Sequence, residues 1–427
     1  MRTSRAAWLA ACVALVIAGG AVPVGSTALA ATGPPPPPAA ATSTPAPAAS
    51  ALKPIDPAAF QTAVDRAAKK LMVPGAVVLL QTPQGTFRAI VGTSELGKNT
   101  PPDTRDHFRI ASNTKTMTSA LIMLLAQDGA LRLTDPVSDH VPGVPNGAHI
   151  TLADLLKMRS GLYNYTNAPE LAATLDADPG KAWTPREVLD IAFRHPPNFA
   201  PDASYEYSNT NYALLGLVAE QAGGRPLAEQ FRNRLFAPLA LEGTALPDIH
   251  DRSLPDPFAH GYMYGGSSYA LVDKPYPAEM REAATTGRLR PNDYTFQNPS
   301  YATAAGGVVS TARDLATWIR ALVSGKVLNA ATQKQWLGSP QSEGPDAHGQ
   351  EYGYGIAHQR FAPNAAMYYH GGELPGFNSF IGHDPDNDVT LVIWTNLTVA
   401  PDGRATAIAL LPTILDQVYA GLDLPTG

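Results

Sequence analysis

Apolar positions recur every three to four residues between 60 and 71, where Phe60, Val64, Ala67 and Leu71 share one side of a helix. The pattern then changes. Residues 75–81 and 86–91 are short apolar runs separated by Pro83, Gln84 and Gly85, which predicts two strands joined by a turn. Helical spacing resumes over 111–131, with Met117, Ala120, Leu121, Leu124 and Leu125 on one face. Thr151-Leu152-Ala153-Asp154 supplies a capping box that opens another helix. From there to about 300 the pattern is of helices and Pro/Gly-rich loops. Strand character returns at 367–370, 377–381 and 389–394, and 404–422 closes as an apolar helix. Strands at both ends with helices between them predict an α/β (α+β) fold. Its antiparallel sheet is built from both chain ends, with flanking helices and an inserted, mainly helical region at about 112–300. A cleft between these two parts is the natural place for a small-molecule pocket.

Two segments precede that domain. Residues 1–30 have the form of a signal peptide: Arg2 and Arg5 are followed by an apolar stretch over 6–21. Ala28-Leu29-Ala30 then offers a cleavage site ahead of Ala31. Leu9-Ala10-Ala11-Cys12 resembles a lipobox, but the apolar run continues behind it through 13–17, which argues against lipid anchoring at Cys12. Cys12 is the single cysteine, so the cleaved protein would have neither disulfides nor thiol chemistry. Residues 31–55, rich in Pro, Ala, Thr and Ser with five prolines at 34–38, read as an extended tether. The hydrolase-like domain is then 56–427. No later stretch is long and apolar enough to span a membrane, so the expectation is export, either secreted or in the cell envelope. The net charge of −6, with no dense Lys/Arg block, gives no reason to expect nucleic acid or an anionic membrane surface as a partner.

Ser112-Asn113-Thr114-Lys115 opens the strong helix, and the three-residue offset puts Ser112 and Lys115 on one face. A serine hydroxyl needs a base, and a lysine serves once burial lowers its pKa. The motif is weak alone: Ser50-Ala51-Leu52-Lys53 matches it at the end of the tether. Tyr207-Ser208-Asn209 adds a phenol that can relay protons and an amide that can hold a substrate carbonyl, although Tyr165-Thr166-Asn167 matches the same loose pattern. His370-Gly371-Gly372 follows a strand-like run, and its small residues would let a substrate lie against the strand.

Order and flanking residues sharpen this. The segments Phe108-Arg109-Ile110-Ala111-Ser112-Asn113-Thr114-Lys115, 160–167, 205–212 and 305–311 together resemble the family of serine D-alanyl-D-alanine carboxypeptidases and class C beta-lactamases. The likeness to the secreted actinomycete-type carboxypeptidase is particular, and it covers about 56–422. The resemblance implies that Ser112 is acylated, that Lys115 accepts its proton and that Tyr207 shuttles protons. It also implies that Asn209 binds the acyl side-chain amide and that His370 contributes a polar or positive group near Tyr207. Backbone N–H groups of Ser112 and Glu373 would form the oxyanion hole, Gly371 and Gly372 would border the substrate, and Tyr301 would supply an aromatic wall. No metal and no organic cofactor is implied. The substrate would be a small molecule or peptide, with peptidoglycan fragments and beta-lactams the family's choices.

The pattern departs at the substrate handle. The carboxypeptidase has Thr where Gly371 stands, and a neighbouring strand presents an Arg where Gln359 stands. Arg360 is adjacent but faces the other way on a strand. Glu373 replaces a small hydroxyl residue. These changes weaken recognition of a terminal carboxylate and make an esterase or amidase of the same fold the rival reading; a non-catalytic receptor for wall fragments is the third. Asp384-Pro385-Asp386-Asn387-Asp388 reads as a hairpin turn rather than a calcium loop, since the late Glu is missing.

Overall fold

The structure, a computed structural model, describes residues 52–422 apart from 273, 346 and 348. The segments read as signal peptide and most of the tether therefore lie outside the described residues. The first helix, α1 (Pro57–Lys70), starts where Asp56 accepts a hydrogen bond from Ala59 N and Pro57 takes the first helical position. Phe60, Val64 and Ala68 bury one stripe of it.

Two strands follow, β1 (Gly75–Thr82) and β2 (Gly85–Gly92). They pair from Gly75 with Gly92 to Thr82 with Gly85, leaving Pro83 and Gln84 as the two-residue turn. The other six strands of the main sheet are β3 (Gln341–Ser342), β4 (Glu351–Tyr352), β5 (Ala357–Ala362), β6 (Ala365–Leu374), β7 (Phe377–Asp384) and β8 (Val389–Thr395). The sheet order is β2-β1-β8-β7-β6-β5-β4-β3, so the first hairpin docks on the last strand, every pairing antiparallel. This is the sheet of both chain ends that the sequence predicts. Strands β7 and β8 are buried at every position, which means both faces are covered.

Helix α2 (Thr114–Gln127) follows a short turn at Ala111–Asn113 and stops four residues before the predicted end. Leu131 and Leu133 continue the apolar run in non-helical backbone, where they are buried all the same. Helix α3 (Asn209–Gly223) ends on Gly224, whose left-handed φ of 65° closes the cap. The capping box at Thr151 and Asp154 is present. The helical part extends past 300: α4 (Ala312–Val323) packs on β8 and β7 and reaches α2, its Trp318 indole donating to Thr116 Oγ1 at 2.8 Å. The last helix, α5 (Thr406–Val418), lies against α1 and β7. No helix among the described residues is long and apolar enough to cross a membrane. The Asp384–Asp388 segment is the turn between β7 and β8, with the Asp384 carboxylate accepting from Asp386 N and Asn387 N.

Candidate active site

Ser112 stands on the turn that leads into α2. Ala111, just before it, has φ 52°, a left-handed conformation that costs a residue with a Cβ about 1–2 kcal/mol. The neighbours hold it there. Asn113 Nδ2 donates to Ile110 O at 3.0 Å and to Ser379 Oγ on β7 at 2.8 Å. Strand β6 presses on the same turn at Gly372, where a Cβ would strike Ile110 O and Ser379 Oγ and come within 2.9 Å of Asn113 Nδ2. The glycine that the sequence reading reserved for a substrate is thus needed to let the strand meet the serine turn.

Lys115 is wholly buried, and no carboxylate pairs with it among the described residues. Its Nζ is 2.9 Å from Ser112 Oγ, 2.7 Å from Asn209 Oδ1 and 2.8 Å from Ala305 O. Burial without a counter-charge pushes its pKa well below the ordinary lysine value. The amine is therefore poised in its neutral form, able to accept the Ser112 proton.

Tyr207 enters from the segment before α3, its ring centre 4.8 Å from Lys115 Nζ and its phenol in contact with Ser112. Burial raises its pKa above the usual phenol value, so it stays protonated at neutral pH. His370 lies on β6, its ring centre 6.3 Å from that of Tyr207. Its Nδ1 is 2.6 Å from Gly371 O and its Nε2 is 3.0 Å from Tyr352 Oη. Because a carbonyl only accepts, Nδ1 carries the proton and Nε2 accepts from Tyr352. Burial and the nearby Lys115 lower its pKa to about 3, so the ring is a neutral group rather than a second cation.

Asn209 is occupied by the catalytic-type cluster itself: Oδ1 accepts from Lys115, and Nδ2 donates to Thr166 Oγ1 at 3.1 Å. Tyr301 is nearly inaccessible, and its backbone carbonyl accepts from Tyr165 Oη at 2.7 Å. Gln359 is buried on β5 and accepts from Tyr369 Oη at 3.2 Å, while Arg360 points outward and donates to Pro363 O at 2.8 Å. The bulge in the β5–β6 pairing falls between Ala365 and Ala366 and leaves that alternation intact. Glu373, half-buried, accepts from Asn378 Nδ2 at 3.3 Å.

A family model, described as beta-lactamase, matches residues 60–413. The chain belongs to the beta-lactamase family. Its relatives include a penicillin-binding protein of Bacillus subtilis, 25% identical over 79% of this chain and 71% of that one. Protein flp of Staphylococcus aureus is 26% identical over 78% of this chain, which spans 62% of that protein's length. Among solved structures, a D-stereospecific amidohydrolase from a Streptomyces species superposes with TM-score 0.72 at 28% identity, over 86% of this chain and 99% of that one. A D-amino acid amidase from Ochrobactrum anthropi, complexed with L-phenylalanine amide, superposes with TM-score 0.71 at 26% identity, over 84% and 98%.

Within this family fold, the residues that sequence reasoning did not single out are Ala305, Thr166, Tyr212 and Tyr352. Ala305 acts through its backbone carbonyl, which has no sequence signature. Thr166 belongs to the Tyr165-Thr166-Asn167 match to the same loose pattern; here it braces Asn209. Tyr212 and Tyr352 wall the lysine and histidine, with Tyr212 5.6 Å from Lys115 Nζ and donating to Leu156 O.

Proposed function

We propose that this chain is a serine hydrolase that cleaves amides of D-amino acids or their short peptides through an acyl-enzyme. The observation that carries the reading is the buried, unpaired Lys115 held 2.9 Å from Ser112 Oγ. Neutral Lys115 takes the hydroxyl proton as Ser112 attacks the carbonyl carbon. Backbone N–H groups of Ser112 and Glu373 receive the oxyanion, which is where β6 lies against the serine turn. Tyr207, protonated at neutral pH, delivers a proton to the departing nitrogen, and Lys115 returns the one it took. In deacylation water attacks the ester and gives its proton back along the same path. Asn209 and Ala305 keep the amine aimed at Ser112, and His370 with Tyr352 positions the Tyr207 ring.

Amides are favoured over peptides ending in free D-alanine because the carboxylate handle is missing: Gly371 has no hydroxyl, Gln359 is neutral and Arg360 faces away. The two amide-hydrolysing structures above support the same substrate class. The signal-peptide pattern of residues 1–30 supports an activity outside the cytoplasm. The test is intact-protein mass after a fluorophosphonate or benzylpenicillin, alongside release of ammonia from D- and L-phenylalanine amide. An adduct on the parent, none on Ser112→Ala, and turnover of the D-amide are expected. Turnover surviving in Ser112→Ala would overturn the assignment; labelling with D-alanyl-D-alanine cleaved and D-amides untouched would move it to the carboxypeptidase.

A further inference from the structure

Glu343 lies in the segment between β3 and β4 and is the ionisable group among the described residues of that segment, its surroundings left unexplained by the cluster above. Gln350 Nε2 donates to its Oε1 at 2.6 Å. The Tyr205 phenol lies against the same carboxylate, and Glu343 acts electrostatically on Tyr207 and Tyr369 as well. The carboxylate therefore stands beside Tyr205, two residues before Tyr207 in the chain. Tyr205 and Tyr207 both pack on Tyr352, with ring centres 5.9 and 6.1 Å away. A second chain of contacts leads to the missing handle: Gln350 Oε1 accepts from Tyr369 Oη at 2.6 Å, and Tyr369 also donates to Gln359.

Glu343 is only partly accessible, and no Lys, Arg or His pairs with it among the described residues. Once ionised, this carboxylate has two neutral donors and no cation among the described residues, so burial favours its protonated form and a positive charge arriving from outside would favour the ionised one. We infer that Glu343 selects substrates whose leaving group carries an ammonium, binding it on the side of the scissile bond where Tyr207 delivers its proton. The inversion is local. Where the carboxypeptidase-like pattern presents an Arg to an anionic leaving group, this chain has neutral Gln359 and, through Tyr369 and Gln350, a carboxylate.

The inference rests on the hydrolase reading, and the experiment separates the two. D-Phenylalanine is supplied as its N-aminoethyl amide and its N-propyl amide, leaving groups of equal length that differ in charge. Burial pushes the Glu343 carboxyl up to about 7, so the assay is run near pH 8, where it is ionised; the groups facing it, Tyr205, Tyr207 and Tyr369, are neutral there. The parent is expected to favour the charged amide in kcat/KM by about ten- to hundredfold, the scale of one charged hydrogen bond. Glu343→Gln keeps the shape and the Gln350 contact, and its ratio should fall to near one. Equal use of both amides by the parent, or a ratio that survives in Glu343→Gln, overturns the inference. If neither amide is turned over, the pair is run as competitors of Ser112 labelling. Stronger protection by the charged amide, lost in Glu343→Gln, sustains the inference, and equal protection ends it. Absence of any Ser112 labelling would instead strike down the hydrolase reading on which it stands.

Discussion

Replacing Lys115 by Met tests the electrostatic argument separately from catalysis. The folded protein holds this amine neutral, because burial lowers its pKa well below 10.5, whereas the unfolded chain protonates it. Between the folded pKa and 10.5 the unfolded state therefore binds one proton more, and stability rises with pH. A single proton gives a slope of roughly 1–1.5 kcal/mol per pH unit. Lys115→Met loses that slope. It also leaves Asn209 Oδ1 and Ala305 O without the donor they have now, at about 1–3 kcal/mol each and independent of pH. Urea unfolding of parent and variant at about pH 6, 7 and 8 separates the two contributions. The gap between the proteins should widen in favour of the parent as pH rises. Parallel curves across this range would mean that Lys115 keeps its proton in the fold, and the neutral-base mechanism would fall with it. The same titration should appear as the acid limb of kcat/KM in the parent, with activity lost as pH drops through the folded Lys115 pKa.

Tyr207→Phe should lower kcat for amides by about a hundred- to ten-thousandfold while a nitrophenyl ester, whose leaving group needs no proton, loses at least about tenfold less. Equal losses on both would remove the acid role from Tyr207. Gly372→Ala should destabilise the fold by about 1–3 kcal/mol, because the added Cβ meets Ile110 O and Ser379 Oγ where β6 presses on the serine turn. Thermal unfolding unchanged from the parent would contradict that close approach.

The parts of this molecule legible in its sequence are those with a period or a local rule. The β1–β2 hairpin, α1 and the two strands around Asp384 each carry an apolar run or helical spacing beside a turn residue. Ser112 and Lys115 are three apart on a helix start, so their meeting needs no knowledge of the tertiary structure. The decoy at Ser50 and Lys53 shows the limit of that rule, since Lys53 Nζ there pairs with Asp416 at 3.1 Å. Tyr207 and His370 were legible only through their order along the chain, because their contacts bridge elements far apart in sequence. Strand β3 has two residues and no pattern to read. Helix α4 did have a signal, Thr311 as a cap whose Oγ1 accepts from Asp314 N and an apolar stripe behind it, but the helical part was expected to end at about 300.

What decides between substrate classes is charge, and charge around a cleft is a property of packing rather than of motif. His370 could be read from the sequence as a positive group; buried beside Lys115, it is neutral. Arg360 could be read as one residue from a carboxylate clamp, yet the alternation of β5 turns it to solvent and puts Gln359 inside. Glu343 carried no sequence signal at all, because its neighbours Tyr205, Gln350 and Tyr369 come from three separate segments. Taken together, Gln359 and the outward Arg360 leave no fixed cation for an anionic leaving group among the described residues there, and the proposed role of Glu343 is to offer a carboxylate to a cationic one. The acylation residues alone are shared by every reading of this family. On the proposed reading substrate choice is set by these surrounding groups, and exchanging Glu343 for a neutral isostere is the smallest change that should shift it.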